Sequence, residues 1–122
     1  MAIMIDPDAN LSALADVHPI AERLVDALGV LAVARLTDTD PDQLSNFLAK
    51  RCQISGAVAN RLIDVEFLLT RVALLFSGTA GVDWLLSTDV RRGGARRIDI
   101  FATVGVAPLL DDLERIAEGA QA

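Results

Sequence analysis

Between Gly56 and Phe76 the chain carries apolar residues on two helical faces at once, and this limits what it can fold into more than any other feature. Val58, Leu62, Val65, Leu69, Val72 and Phe76 recur at steps of four and three, while Ile63, Phe67 and Leu74 form a second stripe. That spacing is the repeat of an α-helix. A helix apolar on two faces is expected to be buried on two faces. It therefore belongs between the N-terminal helices and the C-terminal segment, or between two subunits. Ser55 can cap its start, and Ser77-Gly78 ends it. Its most apolar window, Leu62 to Phe76, is interrupted by Asp64, Glu66 and Arg71 and is too short to span a bilayer.

A chain of 122 residues can build one modest core, as one domain or two closely packed subdomains. Its hydrophobic fraction of 52% exceeds what a helical protein of this size buries, which points to an oligomer or an obligate partner. The formal net charge of −6 argues against a general nucleic-acid binder, because phosphate contacts supply most of that affinity. A single cysteine, Cys52, leaves no intrachain disulfide and suits a reducing compartment. The first residues, MAIMIDPDAN, lack the charged start and apolar run of a secretory signal. A cytoplasmic chain is expected.

Taken in order, residues 1–17 carry Asp6, Asp8 and Asp16 with little periodicity and read as a flexible leader. Pro19 suits a first helical turn, followed by Ile20, Leu24, Ala27 and Leu28 on one face. Gly29 punctuates that helix, a second runs from Val30 to Leu36, and Thr37-Asp38-Thr39 is a turn. Asp40-Pro41 is a cap followed by a helix start, and the third helix, with Leu44, Phe47 and Leu48, ends near Lys50 or Arg51. After the long helix come a short one from about Thr79 to Leu86, another around Ile98 to Thr103 broken by Gly105, and a last one starting at Val106-Ala107-Pro108. In the last helix Leu109, Leu110, Leu113 and Ile116 share a face, and Asp111, Asp112 and Glu114 are expected to face water. Glu118 to Ala122 reads as a mobile tail. With no strand-like alternation of useful length, the expected fold is all-α: a helix-turn-helix-like bundle at 18–55, a central helix at 56–77 and a small helical domain at 78–122.

Enzyme chemistry finds little footing. His18 is the lone histidine, read as a cap or surface residue, and Cys52 lies in a loop with nothing to support a nucleophile pair between them. No metal-ligand spacing occurs, and the phosphate-loop, dinucleotide-binding and nucleophile-elbow sequences are absent. Neither a cofactor nor a metal is expected, and the chain is read as a non-enzyme. The loop Arg91-Arg92-Gly93-Gly94-Ala95-Arg96-Arg97 has two readings. Paired glycines can shape an anion-holding concavity ringed by four guanidiniums, or the glycines make a turn whose arginines are solvated or paired with the chain's acids.

Two resemblances organise these pieces. The helices around Val33, Ala34, Leu44 and Phe47 resemble a helix-turn-helix of the Xre repressor type. Asp38 stands where that motif usually has glycine, and Thr39 where it usually has an aliphatic residue. Its candidate DNA contacts are Gln43, Ser45, Asn46, Lys50 and Arg51. Asp40 and Asp42 share the recognition face and repel phosphates, although Asn46 can pair with an adenine edge.

Further on, Trp84-Leu85, Gly93-Gly94 and Ile98-Asp99-Ile100-Phe101, followed by Thr103, Leu110 and Leu113, resemble the C-terminal toxin-binding domain of the Xre/MbcA/ParS antitoxins. That family has Pro-Asn where this chain has Thr88-Asp89, leucine at Arg92, proline at Arg97, and a glycine one residue beyond Gly105. The resemblance spans roughly residues 20–119. It implies an antitoxin that neutralises a RES-domain, NAD-consuming toxin by binding it and covering its active-site entrance, with operator DNA as a second partner. By that resemblance Arg91, Arg92, Arg96, Arg97 and the tail residues Glu118, Gly119, Gln121 and Ala122 lie at or near the toxin. Trp84, Gly93, Gly94 and Asp99 are frame. The alternatives are a DNA-binding autoregulator and a nucleotide- or anion-binding module built on the arginine loop.

Overall fold

A computed structural model describes residues 7–121, with side chains described from 17 to 119. The fold is all-α, with seven α-helices among the described residues: α1 (Pro7–Leu28), α2 (Val30–Thr37), α3 (Pro41–Leu48), α4 (Gly56–Leu75), α5 (Ala80–Leu86), α6 (Arg97–Val104) and α7 (Ala107–Gln121). Between α5 and α6 lies a minimal antiparallel ribbon, β1 (Thr88–Asp89) with β2 (Ala95–Arg96), which pairs Thr88 with Arg96 and Asp89 with Ala95. Two residues per strand are too few to register as alternation in the sequence.

The core forms around α4, which packs on α1, α2, α5 and α7 while α2 also packs on α6. Leu62, Val65, Leu68 and Val72 supply the buried face of α4. They meet Val17, Ala21 and Leu24 of α1, Val33 and Leu36 of α2, Phe101 of α6, and Leu109 and Leu113 of α7 in one connected cluster. The inward face is thus the first stripe expected from sequence, turned toward Leu68: Leu62, Val65 and Val72 are buried with Leu68, whereas Val58, Leu69 and Phe76 are half-buried. The second stripe is not covered within this chain, since Ile63, Phe67 and Leu74 are all exposed. Burial of the central helix between N- and C-terminal segments accounts for one apolar face only.

The N-terminal reading needs two corrections. The helix expected from Pro19 begins at Pro7, so from that residue on the supposed leader is helical; residues 1–6 lie outside the described residues. Pro19 sits inside α1, where a proline normally costs a hydrogen bond. Its ring faces solvent, and Val17 and Ala21 on either side are buried on the core face, so packing carries the helix through. The other concerns His18, which is neither a helix cap nor a free surface residue. Its Nε2 donates to the Leu48 carbonyl at 2.9 Å, its Nδ1 lies 3.0 Å from Glu22, and its ring packs 5.3 Å from that of Phe47. It ties α1 to the end of α3.

The turn between α2 and α3 closes without a glycine. Asp38 takes the left-handed conformation (φ 54°), its N–H reaching the Arg35 carbonyl while Thr39 N–H reaches that of Ala34. This is the paired arrangement that usually ends on glycine. Lys50 (φ 63°) repeats it after α3, with bonds from Lys50 N–H to Phe47 and Arg51 N–H to Asn46. Asp40 caps α3 through Asp42 N–H, with Pro41 as its first residue, as the sequence indicates.

Candidate functional site

The loop between α5 and α6 is a hairpin built on its glycines. Gly93 (φ 74°) and Gly94 (φ 81°) both hold left-handed backbone that side chains rarely adopt. Their N–H groups close the turn onto the carbonyls of Val90 and Asp89, at 3.2 and 2.9 Å. The residues just before them, Val90–Arg92, form a single 3-10 turn capped by Asp89, whose Oδ1 accepts from Arg91 N–H at 3.0 Å. The dipeptide Thr88-Asp89 therefore serves as strand and cap, and Asp89 is 3% exposed.

The four loop arginines divide into two pairs that do different work. Arg97 is structural. Its Nη1 donates to the carbonyls of Trp84 and Thr88, both at 3.2 Å, and to Ser87 Oγ at 2.6 Å. Its guanidinium also stands 4.8 Å over the Trp84 ring, close enough for cation–π attraction. Trp84 in turn stacks on Phe76 at 5.8 Å. Arg96 pairs with Asp99 at 3.1 Å, and the same carboxylate takes Arg35 of α2 at 2.8 Å. These hydrogen bonds, from Arg35 first and Arg96 second, hold the Asp99 carboxyl below its ordinary value of 3.8. Asp99 thus joins α2 to α6.

Arg91 and Arg92 face the other way, toward α7. Each places an Nη2 3.3 Å from Oδ1 of Asp112, and Arg115 donates to the same oxygen. Arg92 Nε also lies 3.3 Å from Asp89 Oδ2. Asp112 was expected to face water with Asp111 and Glu114, but it is 3% exposed and turns beneath the loop. A carboxylate there is tolerable because three guanidiniums converge on its Oδ1, a pairing that buried charge requires, while its buried Oδ2 has no hydrogen-bond partner among the described residues. Asp111 and Glu114 are exposed as expected. The outward sides of Arg91, Arg92 and Arg115 line an open cleft of about 210 Å³. Here three cations meet two buried carboxylates, a local positive balance in a chain of net negative charge.

Of the remaining sequence candidates, Glu118 and Gly119 are exposed on α7, which continues through Gln121; Ala122 and the Gln121 side chain lie outside the described residues. The expected loose tail is a helix end, since alanine, glutamate and glutamine favour helix and only Gly119 opposes it. Gln43, Ser45, Asn46, Lys50 and Arg51 are all exposed, on α3 and the turn after it, with Asp40 and Asp42 exposed beside them. Cys52 is exposed with its sulfur 3.6 Å from the Gln43 carbonyl, so it and His18 engage different partners. Sequence reasoning missed Arg35, Asp89, Asp112 and Arg115. Asp112 had a usable signal: it lies three residues from Leu109 and one from Leu113, so it borders the apolar face.

Among the described residues no His, Cys, Asp and Glu side chains cluster as a metal site, and no helix is long and apolar enough to cross a membrane. Compared with protein-family models, curated proteins and solved structures, the chain matches none.

Proposed function

We propose that this chain is a cytoplasmic, non-enzymatic antitoxin that neutralises a RES-domain, NAD-consuming toxin by direct contact. The observation that carries the reading is how the resembling residues are used. Trp84, Gly93, Gly94 and Asp99 are spent holding one rigid hairpin against α6, as frame residues should be. Arg91 and Arg92, with Arg115 added from α7, are left at the surface around a cleft suited to a partner's carboxylates. A preorganised charged rim favours specific association over catalysis. Arg96 and Arg97 stabilise the loop and contribute less to the partner. The helix end at Glu118 and Gly119 is the element nearest to a plug for the toxin's active-site entrance.

In this reading the helix-turn-helix is scaffold. Asp40 and Asp42, exposed at the start of α3, place negative charge where DNA phosphates would lie. Steeply salt-dependent binding to the promoter upstream of its gene would instead make the chain an autoregulator.

A RES-domain protein encoded by a neighbouring reading frame would favour the proposal, and co-expression with that protein tests it. The full chain should restore growth and co-purify with the toxin, and truncation after Ile116 should weaken protection while preserving helical content. Full protection by the truncated chain removes the plug. Failure of the full chain to co-purify removes the antitoxin reading itself.

A further inference from the structure

The outward face of α4 is apolar along its middle, and nothing among the described residues covers it. Ile63 is 46% exposed, Phe67 50% and Leu74 77%. With Thr70 they follow one another at steps of four, three and four, directly opposite the buried Val65 and Val72. Scattered exposed apolar residues are ordinary, but three in register on one helix form a patch, and such patches mark contact surfaces. Leu74 and Arg71 also border a groove of about 410 Å³ against α7, shared with Leu75, Leu113 and Ala117 and with the carboxylates of Glu114 and Glu118.

We propose that this face docks a second copy of the same chain, α4 against α4 and antiparallel, about a two-fold axis near Phe67 and Thr70. The charges beside the stripe carry the choice of occupant. Asp64 and Arg71 lie on the same flank, seven residues apart; both are exposed, and neither forms an ion pair among the described residues. In an antiparallel pair related by a two-fold axis, the same flank of each helix faces its counterpart. The register that seats Ile63 on the partner's Leu74 and Phe67 on the partner's Thr70 sets Asp64 and the partner's Arg71 two residues apart along the axis. That offset is about 3 Å, within reach of an arginine. The symmetry makes the same pair twice. A stripe flanked by acid at one end and base at the other is complementary to itself when reversed, a condition that an unrelated partner would not impose. The contact is independent of the antitoxin reading, because it lies on α4 and not on the arginine loop. One helix face buries less than a standard interface, so the dimer should be reversible, in about the micromolar range.

Sedimentation equilibrium of the full chain over a range from about 1 to 300 μM provides the test. The expected result is a reversible rise from 13.0 kDa to twice that mass. Phe67→Glu should abolish dimerisation while leaving the circular dichroism and melting temperature near wild type, since the residue is half exposed. Arg71→Asp should weaken the dimer by about tenfold, from two exposed ion pairs turned repulsive. The double swap Asp64→Arg with Arg71→Asp should restore it to within about threefold. A chain that stays monomeric across the range overturns the proposal, as does a dimer indifferent to Phe67→Glu. A double swap no tighter than Arg71→Asp alone overturns the antiparallel register.

Discussion

Asp112→Asn isolates one charge with little change of shape. Asp112 is 3% exposed and is shared by Arg91, Arg92 and Arg115, whose side chains are 61, 34 and 53% exposed. Breaking a fully buried pair costs about 3–5 kcal/mol because it strands the remaining charge. Here the stranded guanidiniums keep much of their water, so the cost falls to about 1–3 kcal/mol. Repulsion among three arginines that lose their common counterion holds it above the level of a surface change. The expected fall in melting temperature is about 4–10 °C for a chain of this length. Urea unfolding followed by Trp84 fluorescence and by helical circular dichroism measures the free-energy cost, with the exposed Asp111→Asn as control, expected within about 0.5 kcal/mol of wild type. Arg115→Gln should cost less than Asp112→Asn, since two guanidiniums still serve the carboxylate. A loss below about 0.5 kcal/mol for Asp112→Asn would refute the view that the loop is anchored on α7 through this residue.

Other perturbations follow from the same geometry. Asp99 has a folded-state pKa depressed by Arg35 and Arg96, so its contribution is complete above the ordinary carboxylate range and is lost as pH falls through the depressed value. Asp99→Asn should therefore be less stable than wild type at neutral pH, and denaturant titrations should show that gap closing below about pH 4; a gap independent of pH would contradict the assignment. A Cβ added at Gly81 would lie 2.4 Å from Val72 Cγ1, a stiff β-branched group, so Gly81→Ala should cost about 1–3 kcal/mol on urea unfolding. Removing the cation above Trp84 by Arg97→Met should shift the indole emission and lower stability by about 1–2 kcal/mol. An unchanged emission spectrum would place that guanidinium elsewhere in solution.

How much of this was legible in the sequence depended on the range of the interaction. Local signals located the helices: Asp40-Pro41, Ser55 and Gly105 mark the starts of α3 and α4 and the end of α6 within a residue, and Gly78 lies three residues past the end of α4. Pro19 misled because a proline inside a helix and a proline at its start look alike until the burial of Val17 is known. The hairpin's glycines were visible, since few other residues adopt their backbone. Its partners were not. Asp112 lies some twenty residues beyond Arg91 and Arg92, and Arg35 more than sixty before Asp99, so no periodicity links them. The mixed fate of the four arginines, two spent on Trp84 and Asp99 and two left around a cleft, is a tertiary result. The second stripe of α4 is apolar in the sequence itself, but whether this chain covers it is decided by tertiary packing, which leaves Ile63, Phe67 and Leu74 exposed.

The claim that the chain acts by occluding a partner enzyme is tested most directly by NAD turnover. A purified RES-domain toxin would be titrated with the full chain while NAD consumption is followed. The account predicts that turnover falls to background at a fixed stoichiometry, and that Arg91→Glu with Arg92→Glu shifts the titration to higher concentration. Undiminished NAD consumption at saturating chain would contradict it.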